Sequence, residues 1–109
     1  MINKATNQDW LDQVQEEALE PSLPIIDSHH HLWDFKIGRV SPRYFLEDIL
    51  EDMNSGHKIV ATVFIECGTM FRKEGPEEEK PLGETEFVNG IAAMSASGLY
   101  GETRIAAGI

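Results

Sequence analysis

The chain has 109 residues, 41% of them hydrophobic, a composition that suits one small globular domain and not a disordered tail. Its 19 acidic residues against 9 basic ones give a formal charge of -10, which repels nucleic-acid phosphates and anionic membrane surfaces and argues against either as a partner. Cys67 is the single cysteine, so no internal disulfide is possible; the first 22 residues hold no apolar core of signal-peptide type, no later run approaches membrane-span length, and the expected compartment is the cytoplasm.

In chain order, Trp10, Leu11, Val14, Ala18 and Leu19 recur at helical spacing, with Asn7 or Asp9 as a cap and Pro21 as a stop, which predicts a short leading helix. After the Pro21-Ser22-Leu23-Pro24 break, Ile25 to Leu32 reads as a first strand that gives way to a polar segment near Trp33. A helix follows over 44–54, with Leu46, Ile49, Leu50 and Met53 on one face and Gly56 placed to end it. Ile59 to Cys67 is nearly unbroken in its apolar character and rich in β-branched residues, as expected of a parallel strand buried on both faces. The segment from Gly68 to Gly83 is polar, acidic and interrupted by two prolines, so it reads as a loop. Phe87, Val88, Ile91, Ala92 and Met94 mark a last helix, over 84–96, that Gly98 can close, and Arg104 to Ile109 reads as a third strand.

This pattern divides the chain into a leading helix and linker, 1–22, and a β-α-β-α-β unit, 23–109. Strands alternating with helices predict parallel pairing with crossover helices on one face. The expected fold is α/β: about three βα units forming the N-terminal portion of a TIM (β/α)8 barrel, with the helices on its outer face. A complete barrel takes about 250 residues, so this chain reads as somewhat under half of one. Its open sheet edges then offer a route to a homo-oligomer.

The chemistry lies in Asp27-Ser28-His29-His30-His31-Leu32-Trp33-Asp34. Residues two apart on a strand share a face, so Asp27, His29 and His31 are expected to point one way and Ser28 and His30 the other. Same-face neighbours lie about 6.6 Å apart along a strand, from where two imidazoles can each bring a nitrogen to about 2.0–2.1 Å from one zinc ion. His29 and His31 are therefore the candidate metal ligands. Asp27, one step deeper, is a candidate to accept a ring N–H and fix a ligand tautomer. His30 reads as structural, facing the packing helices, and His57, just past the helix-ending Gly56, as a residue of the opposite, stability face.

The segment from Asp27 to Asp34, led by Pro24-Ile25-Ile26, resembles the opening of the amidohydrolase-related family of TIM-barrel metal-dependent hydrolases, which includes 2-pyrone-4,6-dicarboxylate lactonase and the sugar-lactone hydrolases. The likeness runs on through Val63-Phe64-Ile65-Glu66-Cys67 to the third strand. The resemblance implies that His29 and His31 are the first two ligands of a divalent metal, zinc first and manganese second. It also implies that further ligands and an aspartate base come from later strands, which this sequence does not contain. The implied reaction is hydrolysis of a lactone or other cyclic ester or amide, a small-molecule substrate, by metal-activated water.

Among the remaining residues, Glu66 at the end of the second strand is a candidate catalytic group, with a solvated strand end as the plainer reading. Arg72 in the long loop is a candidate to clamp a substrate carboxylate, against an ordinary solvated arginine. Cys67 reads as a small buried hydrophobe, and Glu77-Glu78-Glu79 as a solvated loop without the spaced oxygens of a calcium site. Two other functions stay open at this point. One is an inactive barrel fragment acting as an interaction module through its open edge; the other is an adventitious histidine patch.

Overall fold

The computed structural model describes residues 8–35 and 42–109. Its elements in chain order are α1 (Gln8–Leu11), β1 (Pro24–His30), β2 (Trp33–Asp34), β3 (Arg43–Tyr44), α2 (Leu46–Met53), β4 (Lys58–Phe64), a 3-10 turn (Glu77–Glu79), α3 (Leu82–Ala96) and β5 (Arg104–Gly108). The long strands form one parallel sheet in the order β1-β4-β5. The molecule is thus mixed α/β with a three-stranded parallel sheet, as the alternating pattern predicts.

The core explains why α2 and α3 fold where they do. Leu46 and Ile49 of α2 and Val88 of α3 are buried in one cluster with Leu32, Phe64 of β4, and Ile105 and Ala106 of β5. Phe45, just before α2, also meets Phe87 of α3 at a ring separation of 5.4 Å, so both helices lie over the same face of the sheet. Asp48 accepts the Phe45 N–H at 2.8 Å, which satisfies an amide left over at the start of α2. At the other end of α3, Gly98 takes the left-handed conformation (φ 78°) that terminates a helix.

Several boundaries differ from expectation, each for a physical reason. The leading helix is a single turn, Gln8–Leu11, with no buried residue, and Trp10, Leu11, Val14 and Leu19 are all exposed. Helical spacing without a surface to cover does not sustain so short a helix. Asn7, the alternative cap, lies outside the described residues. Tyr44 belongs not to α2 but to β3, which pairs antiparallel with β2 in a small ribbon across Trp33↔Tyr44 and Asp34↔Arg43. β4 ends at Phe64, short of Cys67, and only Thr62 and Phe64 within it are buried, so it is not covered on both faces. Gly83 lies inside the first turn of α3, not in the loop, because the chain folds back on it: a Cβ there would sit 2.4 Å from the Met70 carbonyl oxygen.

Candidate metal centre at the end of the first strand

β1 delivers the histidines to the carboxyl end of the sheet. Its pairing with β4 is irregular between Asp27 and His30, a bulge of the kind that re-aims side chains. His30 turns into the core: it is buried, lies edge-on to Phe64 with ring centroids 5.8 Å apart, and its Nε2 is 2.9 Å from the Thr62 hydroxyl. That hydroxyl already accepts the Ala106 N–H at 2.8 Å, so its own proton is free to go to His30 Nε2. The His30 proton therefore belongs on Nδ1, which faces the His31 carbonyl at 3.5 Å. Burial pushes the His30 pKa below its ordinary value, in keeping with a neutral ring.

His29 and His31 stand apart from this core. Their Nε2 atoms are 3.2 Å from each other, with the rings nearly perpendicular at 89°. His31 Nδ1 lies 2.8 Å from the carbonyl oxygen of Ile65. Since a carbonyl only accepts, Nδ1 carries the proton, and the lone pair on Nε2 is directed toward His29. Two nitrogens bound tetrahedrally at about 2.0–2.1 Å from a zinc ion are about 3.3 Å apart. The 3.2 Å separation of the pair thus matches the spacing of two adjacent positions around such an ion. Among the described residues, no group of three or more histidine, cysteine or acidic side chains is placed to hold a metal.

No protein-family model, curated protein or solved structure matches this chain.

The other candidates fall out differently. Asp27 accepts the main-chain N–H of His29 at 3.1 Å, not a ring N–H. The tautomer-fixing contact expected of it is made instead by the Ile65 carbonyl, because the bulge carries the rings beyond the Asp27 carboxylate. Glu66 is exposed, one residue past that carbonyl. Arg72 forms an ion pair with Glu86 on α3, so in this structure its guanidinium grips the protein's own carboxylate. Glu77 likewise pairs with Lys80, and the acidic turn stays in solvent. Cys67 is half-buried and donates its thiol proton to the Leu32 carbonyl at 3.2 Å, with burial first and the nearby Glu84 second pushing its pKa up. His57 is exposed at the amino end of β4, where it lines an open depression of about 510 Å³ with Met53, Asn54 and Lys58.

Two residues at this end of the sheet escaped the sequence reading. Trp33 flanks His31 with ring centroids 5.7 Å apart and stacks in turn on Phe35 and Tyr44, forming an aromatic wall beside the pair. Its position two residues after His31 was the available signal. Glu84, in the first turn of α3, is buried and its Oε2 accepts the N–H groups of Thr69 at 2.7 Å and Cys67 at 3.2 Å. Its only advance sign was an acid in a first helical turn, where the helix dipole favours one.

Proposed function

We propose that this chain is the opening portion of a metal-dependent hydrolase of the amidohydrolase type, with His29 and His31 as two ligands of a divalent cation, zinc first and manganese second. The observation that carries the reading is the 3.2 Å separation of the two Nε2 atoms together with the Ile65 carbonyl that leaves His31 Nε2 unprotonated. In this reading the β1-β4-β5 sheet is the first part of a TIM barrel, and the histidines lie at the carboxyl end of its strands, where catalytic groups collect. The bound cation would supply a Lewis acid that acidifies water and polarises the carbonyl of a lactone or related cyclic ester or amide. The chain's own residues hold that cation from one side, while Trp33 walls the site and Glu66 lies open to a substrate at its rim. Remaining ligands and the general base would come from strands outside this sequence, so the 109-residue chain alone should turn over little. The single cysteine supports a cytoplasmic setting for this hydrolase. Among the described residues no helix is long and apolar enough to cross a membrane.

The test is zinc titration of the full chain by calorimetry, alongside lactone hydrolysis in a barrel completed by the missing strands. His29→Ala and His31→Ala should each weaken zinc binding and abolish hydrolysis, whereas His30→Ala should leave zinc affinity near the parent value. Unchanged affinity in both outer variants would remove the metal reading. Equal loss in all three would favour an unspecific histidine patch. A discrete dimer that gains nothing from zinc would favour an interaction module joined through the β1 or β5 edge.

A further inference from the structure

The turn that follows β4 is held more tightly than an exposed loop requires. Gly68 adopts φ 81° and Met70, with a side chain, φ 54°, a strained conformation that persists where surroundings over-determine it. Those surroundings are the first turn of α3. Glu84 gathers the Cys67 and Thr69 N–H groups on one buried carboxylate oxygen, and Gly83 lets the Met70 carbonyl and the Arg72 amide come within 2.4 and 2.8 Å of where a Cβ would stand. Charge-assisted bonds of this kind are about twice as strong as neutral ones. From the turn, two groups then reach back to the histidine segment. The Cys67 thiol donates to the Leu32 carbonyl, and the Ile65 carbonyl receives the His31 Nδ1–H. Ile65 N–H also donates to the His30 carbonyl at 2.9 Å, so the two segments are laced together on both sides of His31.

We infer that Glu84 is a positioning residue for the histidine pair: by clamping the turn after β4 it holds the Ile65 carbonyl against His31 and so keeps that ring as the Nδ1–H tautomer with Nε2 open to a cation. The tautomer part stands without any metal; the consequence for metal affinity rests on the function proposed above. Glu84 touches neither ring; it acts through the main-chain N–H groups of Cys67 and Thr69 and through the Cys67 thiol, whose sulfur lies 3.7 Å from its Oε2.

Imidazole nitrogen NMR on the metal-free full chain reads the tautomer, and zinc titration reads the consequence. The parent chain should show a single Nδ1–H form at His31. Glu84→Gln, which keeps one acceptor oxygen but loses the charge, should show a mixture of tautomers at His31, an unchanged His30, and zinc affinity lower by about tenfold, as for other groups that orient a ligand. Glu84→Asp, which keeps the charge but withdraws it by one methylene, gives the same readout should Glu84→Gln fail to fold. A folded variant with faster amide exchange at Cys67 and Thr69 but an unaltered His31 tautomer would overturn the inference, leaving Glu84 a loop clamp only. A tautomer shift in a protein that binds no zinc would uphold the inference while removing the metal reading.

Discussion

His30 meets the Thr62 hydroxyl and the Phe64 ring in the core, while His29 beside it stands in solvent. Two consequences follow for titration. The His30 pKa is lowered from 6.5 by burial, so as pH falls the unfolded chain takes up its proton first. The stability that depends on neutral His30 is complete above about 6.5 and drains away as pH falls from there toward the lower folded value. Urea unfolding at a series of pH values should show this loss, and His30→Gln, which cannot titrate, should flatten it; an equal slope in both proteins would contradict the assignment. Cys67 runs the other way: its raised pKa predicts that alkylation by iodoacetamide in the folded chain needs a higher pH than in the urea-unfolded chain. Coincident pH profiles would contradict it. At this scale the sequence disclosed the histidine cluster, but strand alternation does not account for the outer pair, since the Asp27–His30 bulge breaks the period of two and His31 lies past the end of β1. The Asp27–His30 bulge and the Glu84 clamp stayed hidden because their partners are main-chain groups, which every sequence carries alike.

At the scale of elements, α3 and β5 are joined by Ser95. Its buried hydroxyl donates to the Thr103 carbonyl at 2.9 Å and accepts the Ile105 N–H at 2.8 Å, so one side chain closes the connection after Gly98. Ser95→Ala leaves a buried amide without its partner and should cost about 1–3 kcal/mol, read as a lower urea midpoint at unchanged slope. A change within about 0.5 kcal/mol, the level of an ordinary surface substitution, would show that water replaces the hydroxyl there. Both main helices were legible because each carries apolar residues at a helical period over two turns or more, and β4 because its apolar run is nearly unbroken and rich in β-branched residues. The β2–β3 ribbon was not, since two residues per strand have no period, and what holds it is the packing of Trp33 against Tyr44. The leading helix shows the converse, a helical period in Trp10, Leu11 and Val14 that finds no buried surface.

For the molecule as a whole, β4 is the strand paired on both sides, with β1 and β5 each bonded to it alone within the described residues. Amide exchange should therefore be slowest across Lys58–Phe64 and fastest at Gln8–Leu11, where no residue is buried. Comparable protection in both would mean that the amino-terminal segment docks more firmly than its exposure indicates. The alternation of strand and helix predicts the parallel order that the three long strands show.

The aromatic wall beside His31 gives the protein a built-in optical reporter. Trp33 is one of two tryptophans, and the other, Trp10, is exposed on α1. With Trp10 replaced by Phe, the remaining emission comes from a ring whose centroid lies 5.7 Å from that of His31. Copper(II), a quencher of indole fluorescence at short range, should dim that emission at one equivalent, and His31→Ala should abolish the dimming at the same concentration. Occupancy of the histidine pair can then be followed by light alone, in dilute solution and on the stopped-flow timescale, without an assay for turnover.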